Sequence, residues 1–448
     1  MLYPVLQDPL RPVVGSLFDR PVGVNIRQML FGAGEQGGWY DVADMSTLFQ
    51  DSAGATPVTA VEQQVGRMLD KSGRGNHATQ VTATKRPVYS RRVNLLTKTE
   101  DFEDAAWVCD SGTVTPNAYT SPTGRVFAKY TPDGTNSGIH RVRQPVTLPT
   151  VAHTLSFEVK AAGYTGIKLR ATNAWVNFDL TTETVGVSLN VSSPTIAALG
   201  DGVYKVSCTF SLSPTFIYIY IDPTNTSSPD TVAFTGDGTS GIYISAASVT
   251  LAIDAHLPYQ RVNTDTDYDA DPAKFPAYLR FDGVDDALQT GNIDFTSTDK
   301  MTVWSGVTRI RQEIEIICEL STTVASDRIF SLGLSSGNAA SFISRGVGGG
   351  YPNAYAPLSL APVSAIVGGV GAINDQISTS RANGVSVNSN VAQGTGNYGN
   401  YPLYIGARAG TSLFFNGRLY SLIVRGAQTP LSQIEATELY IKQKMRMP

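Results

Sequence analysis

Charge is scarce in this sequence. Asp, Glu, Lys and Arg make up 16% of its 448 residues, against roughly 25% in an ordinary soluble domain. That deficit argues against a helical bundle, whose faces need Glu, Lys and Leu. The net charge is −4 and no long basic run occurs, which argues against a nucleic-acid partner. Cysteine is equally thin. Cys109, Cys208 and Cys318 lie far apart, with no CxxC and no Cys/His cluster, so no disulfide framework is indicated. Cys208 alternates with Tyr204, Val206 and Phe210 and reads as a small buried hydrophobe. No stretch reaches the roughly 18 apolar residues of a membrane span, so no membrane insertion is expected. His77, His140, His153 and His256 are scattered without metal-ligand spacing. GxSxG, P-loop and dinucleotide fingerprints are all missing. The glycine-rich "RGVGGGYPNAY" lacks the Lys-Ser/Thr of a phosphate cradle and reads as a loop.

What fills the space is Gly (42), Tyr (20) and Phe (17), with many Thr, Ser and Asn. That mixture favours strands joined by tight turns. Period-2 runs are plain in "HTLSFEVKA", "YKVSCTFSL", "FIYIYI" and "GIYISAA", all between residues 91 and 262. A second β region begins at "AYLRFDGVDDALQTG" and includes "MTVWSGVTRI", "EIEIICEL", "RIFSLGLSS" and "RLYSLIVRG". Between the two, "LPYQRVNTDTDYDADPAKFP" breaks the pattern and reads as a linker. Near the C-terminus, "TPLSQIEATELYIKQKM" predicts a short helix with Thr429 as N-cap, Pro430 at N1, and Leu431, Ile434 and Ile441 as an apolar stripe. The N-terminal stretch carries Pro4, Pro9, Pro12 and Pro21 and lacks the basic start and unbroken apolar core of a signal peptide. Residues 1–37 therefore read as an extended arm that gains order by docking. One segment resists placement: "DKSGRGNHATQ" (70–80) is a turn feeding a short strand, and a strand needs partners that the next residues do not supply.

At this point particular residues carry a resemblance. "GWYDVADMSTLFQDSAGATPVTA", "VGRMLDKSGRGNHATQ", "YLRFDGVDDAL", "DFTSTDKMTVWSGV" and "FNGRLYSLIVRGAQ" resemble bacteriophage tail-fibre-type virion proteins with a concanavalin A-like (laminin-G-like) domain. "RVNLLTKTEDFEDAAW", "DGVYKVSCTFS", "GDGTSGIYISAASV" and "PYQRVNTDTDYD" resemble a carbohydrate-binding-module-like jelly roll found in such proteins. The resemblance covers residues 38–448. It implies an all-β chain of two β-sandwich (jelly-roll) domains, one inserted in the other, with an extended N-terminal arm and a short C-terminal helix. The expected division is an attachment arm (1–37), a discontinuous concanavalin A-like sandwich (38–90 and 273–448), an inserted jelly roll (91–262) and a linker (263–272). The strand after Gly75 would then find its partners beyond the insert. Such an insertion is cheap, because loop-closure entropy grows only as the logarithm of loop length.

Four clusters are candidate sites. Trp107, Trp175, Tyr218 and Tyr220 offer faces for pyranose C–H surfaces, with Arg170, Asn173 and Asn177 as hydroxyl ligands. Buried aromatics are the competing explanation. Glu313, Glu315 and Glu319 in "EIEIICE" approach the alternating carboxylates of concanavalin-like glycosidases, although Ile317 stands where a third alternate acid belongs. A polar face opposite Ile314, Ile316 and Cys318 explains them equally. Asp265, Asp267, Asp269 and Asp271 alternate but lack the Gly and Glu of an EF-hand loop, and Asp282, Asp285 and Asp286 suit either a hairpin turn or a structural Ca²⁺. Arg408 and Asn416 lie near turns of the outer domain. The function expected from the resemblance is a non-enzymatic tail-fibre or receptor-binding component that contacts host surface glycans. It would join other virion proteins through the arm and assemble as a homotrimer. The alternatives are a capsid decoration or head fibre, and a glycan-cleaving tail hydrolase.

Overall fold

The computed structural model describes residues 25–225, 227–322 and 326–448. The expected arm falls mostly outside them. Its last part does not: Ile26–Phe31 is a helix, N-capped by Asn25, whose side chain accepts from the Gln28 N–H at 3.0 Å. The prolines that forbid a helix all precede this segment, so residues 25–37 belong with the outer sandwich rather than with a free arm.

The chain is all-β, two sandwiches with one inserted in the other. The outer sandwich faces an eight-stranded sheet against a nine-stranded one. Ala78–Thr79, the strand without local partners, pairs with Arg67–Met68 on one side and with Leu288–Asp294 on the other. Val88–Ser90 lies at the edge of the eight-stranded sheet and pairs with Tyr278–Asp282, Ser90 opposite Tyr278. The chain leaves the outer sandwich and re-enters it at adjacent points. Residues from both outer segments, among them Tyr40, Met68, Leu279, Phe330, Phe342 and Leu422, share one core.

The outer face of the eight-stranded sheet is covered by Ile26–Phe31 and by the terminal helix Leu431–Met445. Gly306 marks the approach: a Cβ there would lie 2.5 Å from Ile441 and 2.8 Å from Met445. The helix begins one residue later than its sequence suggests. Pro430 is the N-cap, while the Thr429 hydroxyl accepts from Arg425 and bonds Thr302. Ile434, Thr437, Ile441 and Met445 face inward, and Leu431 is exposed. No helix among the described residues is long and apolar enough to cross a membrane.

The inserted sandwich packs two six-stranded sheets around a second core that includes Phe157, Ile167, Val176, Val206, Ile219 and Ile244. Its base is closed by two buried amides. Gln260 Oε1 accepts the Val93 and Asn94 N–H groups, its Nε2 donates to the Arg91 and Asp269 carbonyls, and Asn94 Nδ2 donates to the Ala247 and Gln260 carbonyls. The 263–272 segment is packed rather than free. Tyr268 is buried, and its hydroxyl reaches Glu62 at 3.0 Å and Ser90 at 3.1 Å. The two sandwiches are further tied by a buried ion pair, Arg418 to Asp254 at 2.6 Å, and by the His256 ring against the Arg446 carbonyl at 2.9 Å.

Candidate functional site

One sheet of the insert runs Thr184–Leu189, Ala174–Asp179, Gly166–Ala171, Phe216–Ile221, Arg141–Pro145, Val108–Asp110. Alternation sends Ile167, Leu169, Val176, Ile217, Ile219 and Val142 into the core. The opposite face then holds two cross-strand rows fixed by register. One is Asp110, Arg141, Tyr220, Lys168, Asn177; the other is Val108, Arg143, Tyr218, Arg170, Trp175, Leu189.

Cations and rings interleave on this face. Arg141 lies 4.9 Å from the Tyr218 centroid and 5.3 Å from that of Tyr220; Arg170 is 5.1 Å from Tyr218, and Arg143 is 4.5 Å from Phe216. Such contacts orient guanidinium planes over the rings. Asp110 receives Arg141 at 2.7 Å and Arg143 at 2.8 Å. Burial alone would raise its carboxyl, but the Arg143 and Arg141 hydrogen bonds outweigh that and hold it below the usual carboxylate range. Burial pushes the Tyr220 phenol up to about 12.

Of the sequence-predicted ligands, Arg170, Trp175, Asn177, Tyr218 and Tyr220 share this face. Asn173 does not: it is exposed at the turn between two strands, and its carbonyl accepts from Asn190. Trp107 is also elsewhere, in the core against Phe102 and Phe157. An open aromatic platform is not what the chain builds. Trp175 is 2% exposed, and Tyr220 and Asn177 are equally buried. The reason is that residues 222–225 and 228–230 lie across the face. Asn225 accepts from Asn177 at 2.8 Å, the Ser228 carbonyl accepts from Lys168 at 2.8 Å, and Asp222 pairs with Lys168 at 3.0 Å. Phe216, Tyr218, Arg143 and Arg170 remain partly exposed beyond them. Arg141 and Arg143 escaped the sequence reading, although the alternating "RVR" at 141–143 is the signal that places them on one face.

The acidic candidates disperse. A bulge between Ile316 and Cys318 breaks the period of "EIEIICE". Ile314 is consequently 52% exposed, not core, and Glu315 and Glu319 are buried. Glu315 accepts from Arg311 at 2.7 Å and from the Asn416 N–H at 3.1 Å; Glu319 accepts from Ser321 at 2.6 Å and Arg408 at 3.3 Å. Arg408 and Asn416, expected near turns of the outer domain, are partners of these glutamates. Glu313 lies on the surface, 3.3 Å from the Arg311 guanidinium that also serves Glu315. Asp265, Asp267 and Asp269 are each matched by a basic group, Arg92 at 2.5 Å, Arg261 at 3.1 Å and Lys274 at 2.9 Å. Asp282, Asp285 and Asp286 are the one group of three acids among the described residues whose oxygens converge, all within 4.8 Å. Asp282 Oδ1 accepts the N–H groups of residues 284, 285 and 286, so a side-chain-closed turn accounts for the cluster.

No protein-family model matches the chain, and no curated protein is significantly similar to it. Solved structures offer distant likenesses. The Ruminococcus gnavus IT-sialidase CBM40, bound to α2,3-sialyllactose, is 14% identical, covers 34% of this chain and 97% of its own, and has a TM-score of 0.26. Domains LG4-5 of the mouse laminin α1 chain are 13% identical over 72% of this chain and 91% of that one, with a TM-score of 0.26. A Trypanosoma rangeli sialidase in complex with 2,3-difluorosialic acid is 11% identical over 85% and 68%, with a TM-score of 0.29. These neighbours are what the chain is similar to, at levels that carry no argument about its chemistry.

Proposed function

We propose that this protein is a glycan-binding structural component of a tailed bacteriophage particle, of the tail-fibre or receptor-binding type. The sequence motifs quoted above supply the virion part of the reading. The glycan part rests on one observation: partly exposed Phe216 and Tyr218 are flanked by Arg141, Arg143 and Arg170 on a rigid sheet face. Aromatic faces take the C–H surface of a pyranose, and guanidinium forks take its hydroxyls. Residues 1–24 would serve attachment to other virion proteins, and the two sandwiches would point outward.

Binding of the purified chain to host envelope polysaccharide tests the first part. Tyr218→Ala should weaken it about tenfold, the worth of one good stacking contact, while the melting temperature stays within a few degrees. Unchanged binding would remove this face from consideration. Immunogold labelling of particles tests the second part. Label on tails supports it, and particles without label overturn it.

A further inference from the structure

The segment crossing the sheet face delivers one carboxylate to its centre. Asp230 Oδ1 lies 2.7 Å from Arg170 Nη1, 3.1 Å from the Tyr220 hydroxyl and 3.7 Å from Arg141 Nη1. The Tyr220 oxygen accepts from Arg141 at 2.6 Å and from Arg170 at 2.9 Å. With two guanidinium groups donating to that oxygen, its own hydrogen is directed at Asp230. Two donors, the Arg170 guanidinium and the Tyr220 hydroxyl, therefore converge on one anionic oxygen with the Arg141 cation in ion-pair range, all three held by strands rather than by loops.

The other charges on the face are already matched. Asp110 serves Arg141 and Arg143, and Asp222 serves Lys168. Arg170 has Asp230 as its one carboxylate partner among the described residues. Exposure is lopsided across this contact: the side chain of Asp230 is 52% exposed, those of Arg141 and Arg170 15%. The donors are built in, and the acceptor comes from the solvent side. Next to Arg170 in the same row, Trp175 Nε1 is buried with no acceptor among the described residues.

We propose that Asp230 occupies a carboxylate subsite, and that the glycan this face takes is an acidic saccharide whose own carboxylate replaces it. The proposal rests on the reading of this face as a glycan surface and adds the ligand's class. Geometry ties the anion to a sugar ring. The Tyr218 centroid is 5.1 Å from the Arg170 guanidinium and 5.7 Å from Tyr220, so a ring bearing the carboxylate would extend over Tyr218. A tethered carboxylate competes at high effective concentration, so the natural protein binds an incoming acid weakly and removal of the tethered group strengthens binding.

The test uses the full chain with glucuronate, glucose and acetate as probes, titrated calorimetrically or by NMR shifts. Asp230→Ala and Asp230→Asn should each bind glucuronate at least about tenfold more tightly than the natural protein, the worth of one charge-assisted contact. The gain should shrink with added salt and vanish in Asp230→Ala/Arg170→Gln. Glucose should bind all forms alike, and acetate more weakly than glucuronate. Equal glucuronate affinity in all forms overturns the inference while leaving the glycan reading standing if glucose still binds. Acetate matching glucuronate also overturns it, because the subsite would then be an anion hole without a sugar. Failure of every form to bind either sugar overturns both.

Discussion

Asp286 is buried beside Asp282 and Asp285, and burial together with the Asp282 charge pushes its carboxyl up to about 6. A carboxyl raised on folding binds its proton more tightly in the native state than in the unfolded one. Its contribution to stability is complete below about pH 4, where the unfolded chain is also protonated, and is lost as pH rises through 6. Asp286→Asn retains an oxygen for the Asp282 N–H, now 3.0 Å away, and cannot ionise. Thermal melts should show the variant gaining on the natural protein from pH 4 to pH 7, by up to about 3 kcal/mol. A difference flat across that range would mean Asp286 titrates normally. At this scale the sequence is legible only where one rule acts. Alternation alone sorts "FIYIYI" into core Ile217, Ile219 and Ile221 and an outward Phe216, Tyr218 and Tyr220. In "EIEIICE" a single bulged residue shifts the phase, and nothing in its composition announces it.

Elements were easier to find than their coverings. Half-buried antiparallel strands print a period of two on the chain, and the terminal helix prints its stripe, so both could be read directly. The crossing by residues 222–225 and 228–230 could not. It owes its place to contacts with Lys168, Asn177 and Arg170, each on another strand, and long-range coverage leaves no local pattern. The same holds for the clasp at the base of the insert, where Asn94 and Gln260 are separated by most of a domain. Gln260 makes four hydrogen bonds to backbone groups at 2.7–3.0 Å through its side chain. Gln260→Ala would strand buried N–H and C=O groups at both ends of the insert and should cost about 3 kcal/mol. Urea unfolding followed by the fluorescence of Trp107 and Trp175 reports it, since both lie in the inserted sandwich. A loss under about 1 kcal/mol would show that water replaces the amide there.

Across the whole molecule, the Arg418–Asp254 pair joins the two sandwiches where both partners are out of solvent. Removing one member of such a pair leaves a buried charge unanswered, at a cost of about 3–5 kcal/mol. Asp254→Ala should therefore lower the melting temperature and separate the unfolding of insert and outer sandwich into two calorimetric transitions. Asp254→Leu with Arg418→Met, which leaves no charge behind, should restore most of the loss. One unshifted transition in Asp254→Ala would mean that the sandwiches are held together elsewhere. The unpartnered strand at Ala78–Thr79 raised the question of a discontinuous architecture, and the resemblance of the flanking motifs, not any local pattern, supplied the answer. This interface was not legible in the sequence, since Arg418 and Asp254 sit in unremarkable strand and turn text.

The neighbouring positions of Ser90 and Tyr278 have a mechanical consequence. If the insert is gripped and the outer sandwich is pulled, tension reaches the outer sandwich along two covalent lines that end side by side on one edge strand pair. Load arriving there pulls both strands from the same end, so it draws Val88–Ser90 and Tyr278–Asp282 together away from Asn416–Arg425 rather than apart from each other. Before it does so it must open the Gln260 clasp and the Arg418–Asp254 pair, which lie between the grip and the edge. Those contacts act as the fuse of the molecule. Under force they yield first, lengthening the tether while both cores stay intact.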